Sequence, residues 1–198
     1  NGRAIAFADD RNLYLINPAD ASKKHLATGD YIRSITWSPD GSWISYRCNG
    51  IQAINVQDLR TQTISPYGRS PVWNPATSKL AFFINGNILD DDPQVPGGIR
   101  IFNFDSGKTE LIEMGQNEIS VYNPLVWSPD GRRLAFAMKK HRLFGKQPPA
   151  VYTLDISTKN LVLQIEGTHV GSIKWSPDGT KIAVFLNEDG FTRILEVK

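Results

Sequence analysis

Two stretches of this chain hold enough charge at close spacing to do chemistry. Asp90-Asp91-Asp92 sets three carboxylates side by side inside the run from Asn85 to Gly98. Three neighbouring carboxylates suggest Ca²⁺, but a calcium loop needs alternating Asp-x-Asp-x-Asp-Gly ligands, and this run lacks that order. A solvated acidic turn is therefore the expectation, with Ca²⁺ the one cofactor candidate the sequence raises. The second stretch is Lys139-Lys140-His141-Arg142, followed by Leu143-Phe144 and closed by Pro148-Pro149. An apolar pair amid cations has the composition of a docking anchor with a polar rim. The plain alternative is that the acidic and basic runs are solvated loops that pair loosely with each other.

Catalytic constellations are missing. The chain has no Gly-x-Ser-x-Gly elbow, no His-Glu-x-x-His and no Gly-x-x-x-x-Gly-Lys-Ser/Thr loop. His25, His141 and His169 share no metal-ligand spacing. Cys48, the single cysteine, excludes an intrachain disulfide and reads as a small apolar strand residue rather than a nucleophile. The expectation is a protein that is not an enzyme.

Composition narrows the classes further. The chain has 198 residues, of which 40% are hydrophobic and 10% aromatic, with 12 Pro and 16 Gly. That mixture favours many short strands joined by tight turns. Twenty-two basic against 20 acidic residues leave a formal charge of +2, too small a field to draw in nucleic acid. No apolar run approaches the roughly 18 residues of a membrane-spanning helix.

The elements that must position the charged runs are set by a repeat. Trp-Ser-Pro-Asp-Gly occurs at Trp37 to Gly41, Trp127 to Gly131 and Trp175 to Gly179, with a degenerate copy, Trp73-Asn74-Pro75-Ala76-Thr77, between the first two. An apolar stretch follows each copy: Trp43-Ile44-Ser45-Tyr46, Leu80-Ala81-Phe82-Phe83, Leu134-Ala135-Phe136-Ala137 and Ile182-Ala183-Val184-Phe185. Strictly alternating segments come next, such as Leu13-Tyr14-Leu15-Ile16 and Ile99-Arg100-Ile101-Phe102. Period-two alternation punctuated by turns is an all-β signature. The copies lie 36 to 54 residues apart, close to the roughly 40 to 50 residues of a four-stranded propeller blade.

In each copy Pro39, Pro129 or Pro177 presets φ for a tight turn. Asp40, Asp130 or Asp178 accepts local hydrogen bonds, and Gly41, Gly131 or Gly179 tolerates positive φ. The Trp is an apolar plate suited to packing between blades. The motif is thus structural, and its turn is expected to link an outer strand to the next inner one.

These residues resemble the TolB-type β-propeller repeat, a WD40-like repeat, over essentially the whole chain. The resemblance implies an all-β propeller of four-stranded antiparallel blades, here four complete repeats and a partial fifth. Repeat starts fall near Arg3, Ser42, Ser78, Arg132 and Thr180, and residues 1–198 form one domain or a segment of a larger propeller. It also implies a bacterial, often exported binding or scaffold domain with a protein or peptide partner, the periplasm being the first expectation. Two alternatives stand beside it: the substrate-gating propeller of a prolyl-oligopeptidase-like peptidase, and a carbohydrate or small-ligand binder. The sequence departs from the pattern at Asn74-Pro75-Ala76 and in the two charged insertions. Both insertions occupy the same place in adjacent units, so they should leave one face, opposite the Trp-Ser-Pro-Asp-Gly turns. Recognition is expected there, or in a central funnel lined by the small, apolar strands.

Overall fold

The computed structural model describes residues 4–84, 97–113, 119–140, 149–166, 169–187 and 189–197. Eighteen strands of these residues form five antiparallel sheets, and consecutive strands are neighbours in every one. Blade I holds β1 (Ile5–Ala8), β2 (Asn12–Ile16) and β3 (Lys23–Thr28). Blade II holds β4 (Arg33–Trp37), β5 (Trp43–Arg47), β6 (Ile51–Asn55) and β7 (Thr61–Ser65). Blade III comprises β8 (Arg69–Trp73), β9 (Lys79–Ile84), β10 (Gly98–Asn103) and β11 (Lys108–Glu113). Blade IV comprises β12 (Ile119–Trp127), β13 (Arg133–Lys140), β14 (Ala150–Asp155) and β15 (Leu161–Glu166). Blade V has β16 (Val170–Trp175), β17 (Lys181–Leu186) and β18 (Thr192–Glu196). The all-β propeller expected from the repeat is what forms.

The frame of the blades differs from the frame of the repeat by one strand. Trp37 pairs with Ile44, Trp73 with Leu80, Trp127 with Leu134 and Trp175 with Ile182. The Trp-Ser-Pro-Asp-Gly turn is therefore a hairpin within one sheet. It does not join an outer strand to the next inner strand, as the sequence reading expected. The eighteen strands are four repeats of four and two strands of a fifth, and the one-strand shift distributes them over three four-stranded and two three-stranded sheets.

The inner strands are also different ones. Those in contact from blade to blade are β4, β8, β12 and β16, which end at the tryptophans. The small, apolar strands expected to line the funnel are second in each sheet. Their composition has another cause, because in β5, β9 and β13 both faces are buried between neighbouring blades. On β9, Leu80, Phe82 and Ile84 pack with Ile51, Ala53 and Ile64 of blade II. Ala81 and Phe83 pack on the other side with Leu134, Phe136 and Met138 of blade IV. A strand covered on both faces must read as a continuous apolar run.

Each inner strand carries an irregularity in its pairing, between Arg33 and Thr36, Arg69 and Val72, Tyr122 and Leu125, and Val170 and Ser172. At the first two the bulge places Ser34 and Ser70 at φ of 52° each. Bulges of this kind bend and twist a strand, which suits a strand curving past a propeller axis.

The turns are held as their composition predicts. The Ser128 hydroxyl donates to Asp130 Oδ1 (2.5 Å) and accepts from the Arg133 backbone N–H (2.9 Å), while the Arg132 N–H donates to Asp130 Oδ1 (3.1 Å). Ser38 with Asp40 and Ser176 with Asp178 repeat the arrangement. Gly41, Gly131 and Gly179 close the turns at φ of 73°, 68° and 69°.

Tryptophan then ties blade to blade. Trp127 Nε1 donates to the carbonyl of Val72 on blade III (3.1 Å), and Trp175 Nε1 to that of Val126 on blade IV (3.3 Å). Asn74 Nδ2 donates to Gly131 O (2.8 Å), and an Arg133 guanidinium N–H to Gly179 O (2.6 Å), so neighbouring turns are joined as well. Arg133 also lies 5.0 Å from the Trp175 ring centroid. Trp73 breaks the series, since its Nε1 is buried and has no hydrogen-bond partner among the described residues.

This difference predicts unequal costs for Trp→Phe changes. Trp127→Phe forfeits a bond worth about 1 kcal/mol that Trp73→Phe does not lose. Chemical unfolding of the two variants should show Trp127→Phe as the less stable by about that amount; equal losses would mean the clasp contributes nothing. The turn carboxylates give a pH signature. The Ser176 hydroxyl, helped by the backbone N–H and hydroxyl of Thr180, holds the Asp178 carboxyl down to about 2. An unfolded Asp titrates near 3.9, so this stabilisation is present above about pH 4 and is lost as pH falls towards 2. The Tm difference between the parent and Asp178→Asn should therefore shrink across that window.

Candidate functional site

Three regions can present side chains to a ligand. The first is the end of the blades from which the charged insertions leave. Strands β9 and β13 both run away from the Trp-Ser-Pro-Asp-Gly turns, and each hairpins with its third strand at the opposite end. The acidic run is enclosed between Ile84 and Gly98, and the basic run extends from the end of β13 towards Ala150. In backbone pairing Lys139 lies opposite Ser120 and Lys140 opposite Ile119. Asp90, Asp91, Asp92, His141, Arg142, Leu143 and Phe144 lie outside the described residues. The topology brings the two insertion points to one end of adjacent blades, as the equivalent positions in the repeat require.

The second region is the mouth of the axis at the turn end. Thr36, Trp37, Val72, Trp73, Leu125, Val126, Trp127, Lys174 and Trp175 line a cavity of about 540 Å³ there, rimmed by Pro39, Pro75 and Pro129. All four repeat tryptophans reach it, so Trp127 and Trp175, which clasp neighbouring blades, also wall the funnel. Lys174 is exposed and brings a positive charge to this apolar mouth.

The third region follows from the degenerate turn. Between blades II and III a groove of about 580 Å³ opens on the turn end, lined by Trp43, Arg60, Gln62, Trp73, Phe104 and Asp105 together with the two turns. At the equivalent place, the start of a second strand, blade IV has Arg133, which reaches across to Gly179 O. Blade II has Trp43, which packs instead against Phe104 of blade III with ring centroids 5.4 Å apart. Trp73 stacks on the same Phe104 at 4.6 Å, and the Arg60 guanidinium lies 5.6 Å from the Trp43 ring. Among the described residues no hydrogen bond joins the Ser38–Ser42 turn to the Asn74–Ser78 turn. Asp40 is occupied, accepting from the Ser38 hydroxyl and from the Ser42 N–H and hydroxyl, which hold its carboxyl below the usual range. The sequence marked Asn74-Pro75-Ala76 as a departure, and Trp43 is the tryptophan outside the turn motif. It could not show that the two border one groove, because Arg60, Gln62, Phe104 and Asp105 reach it from segments remote in sequence.

The remaining candidates are dispersed. His25 Nε2 is bonded to Thr28 Oγ1 (3.0 Å) and lies 3.3 Å from Asn12 Oδ1 on blade I, while His169 precedes β16 on blade V. Cys48 is half-buried beside the blade I and II core, its thiol directed at Asp30 O (3.5 Å). Among the described residues no three His, Cys, Asp or Glu side chains gather as a metal site.

Known proteins agree on the fold. The WD domain, G-beta repeat family matches residues 21–49, the stretch that holds β3, β4, the first Trp-Ser-Pro-Asp-Gly turn and β5. Over 165 residues the chain is 23% identical to the probable dipeptidyl-peptidase 5 of Aspergillus clavatus, covering 81% of this chain and 18% of that protein. Among solved structures it is similar to Kuenenia stuttgartiensis hydrazine synthase, with a TM-score of 0.70 and 14% identity over 98% of this chain and 60% of that one. It is likewise similar to TolB from Acinetobacter baumannii, with a TM-score of 0.65 and 16% identity over 99% of this chain and 52% of that one. The chain thus spans about a fifth of the length of the peptidase relative and between half and three-fifths of these two structures. At such identities the likeness is one of fold, and the fold is the β-propeller.

Proposed function

We propose that this chain is a non-catalytic binding propeller that captures a protein or peptide partner through the end bearing the two charged insertions. The observation that carries this reading is the convergence of their insertion points on one end of adjacent, rigidly packed blades. Long loops on a rigid scaffold are where propellers and other β folds concentrate recognition. A cationic run with Leu143-Phe144 at its centre, beside an anionic run, suits a partner surface that is itself mixed in charge and offers an apolar pocket. The structural likeness to TolB is consistent with a binding role without naming a partner.

A second reading is favoured by the match to a dipeptidyl-peptidase. In it the propeller would gate access to a catalytic α/β domain on the same polypeptide, and the insertion end would face the substrate path. Labelling the full-length protein with a fluorophosphonate separates the two, because only the peptidase would carry an activated serine.

The test of the scaffold reading is charge reversal. Lys139→Glu, Lys140→Glu and Arg142→Glu together should abolish capture of the partner from source-cell extract while leaving Tm unchanged. Capture that survives the triple change would mean that the basic run is merely solvated.

A further inference from the structure

We propose that the groove between blades II and III is a binding site for a neutral saccharide. It lies at the turn end, so it is separate from the insertion end and does not depend on the protein-partner reading. Three observations combine. First, of the three interfaces at which both blades have an inner strand among the described residues (II–III, III–IV and IV–V), this one lacks the indole clasp; Trp37, facing blade I, makes no such bond either. Trp127 and Trp175 satisfy their indole N–H groups on the preceding blade, whereas Trp73, 8% exposed, has a buried Nε1 with no acceptor among the described residues. A buried donor left unpaired costs stability, and such groups in native proteins call for an explanation.

Second, the groove has an aromatic floor. Trp43 and Trp73 both contact Phe104, at 5.4 and 4.6 Å between centroids, and Trp43 is only half-buried. Because the rings touch one another they form a floor rather than a cage, which disfavours a quaternary ammonium ligand needing rings around it. A floor suits the flat C–H face of a sugar ring.

Third, the polar groups around that floor are unused and of mixed character. The Arg60 guanidinium, the Gln62 amide and the Asp105 carboxylate make no hydrogen bond or ion pair among the described residues. Arg60 lies 5.6 Å from the Trp43 ring, at the outer limit of a cation–π contact, so a ligand can recruit it. Together they offer donors from Arg60, Gln62 and Trp73, and acceptors from Asp105 and Gln62. One cation and one free anion balance, because Asp40 is already occupied by Ser38 and Ser42. A phosphate or acidic sugar would meet Asp105 as a repulsion, whereas hydroxyl groups, which both donate and accept, match the set. The volume of about 580 Å³ falls within the range of small-molecule sites.

The experiment titrates the protein with maltose, cellobiose and N,N′-diacetylchitobiose, following tryptophan fluorescence and saturation transfer to the sugar ring protons. At least one of the three should bind saturably. Trp43→Ala should abolish that binding. Gln62→Ala and Asp105→Ala, which remove side chains at the rim of the core, should each weaken it about fivefold with Tm unchanged. The triple charge reversal at the insertion end should leave it intact. The proposal is overturned if none of the three disaccharides binds, if binding persists in Trp43→Ala, or if folded Gln62→Ala and Asp105→Ala both bind like the parent.

Discussion

The three middle blades of this molecule depend on their neighbours, because their second strands, β5, β9 and β13, are buried on both faces and can be covered only between two other blades. Leu134, Phe136 and Met138 on one side of β13 pack towards blade III, while Ala135 on the other joins Ile173, Ile182 and Val184 of blade V. No single sheet could cover such a strand, so stability is a property of the stack. The small side chains at Ala81 and Ala135 then have a spatial meaning. They lie in the second layer, where the sheets approach closely, and not at the axis.

The Trp-Ser-Pro-Asp-Gly turn makes that stack regular. Its Ser and Asp side chains satisfy the backbone of their own hairpin, so the turn is rigid before it meets a neighbour. The rigid corner then directs an indole at the carbonyl of the preceding inner strand, and its glycine carbonyl accepts from a side chain of that same preceding blade, Asn74 for Gly131 and Arg133 for Gly179. Gly131 must be glycine for two reasons at once: its φ of 68°, and Asn74 Oδ1 lying 2.3 Å from where a Cβ would stand. Local turn chemistry and long-range blade packing are in this way one device.

Regularity also gives the exceptions their meaning. At blades II and III a Trp replaces the basic residue that starts the later second strands, and Asn74-Pro75-Ala76-Thr77 replaces Ser-Pro-Asp-Gly. The result is an unclasped indole, an aromatic floor and a groove with unused polar groups. The charged insertions depart from the pattern in another way, leaving the β9–β10 and β13–β14 hairpins at the opposite end. The turn end is aromatic with mixed polar groups, and the points at which the acidic and basic runs of the sequence insert lie at the other end.

Much of this was legible in the residues alone. Alternation, spacing and turn composition determined that the chain is an array of short antiparallel strands, because period two and the demands of φ are local properties. The equivalent placement of the two insertions also followed from the repeat. What sequence could not determine was which strand is innermost. A hairpin within a sheet and a crossing between sheets can use the same turn residues, and a strand buried on both faces reads like one lining an axis. Only the pairing of Trp127 with Leu134 and the contacts of β12 with β8 and β16 decide it. The groove was beyond sequence for the same reason. Trp43, Arg60, Gln62, Trp73, Phe104 and Asp105 come from two sheets, and it is the packing of those sheets that brings them together.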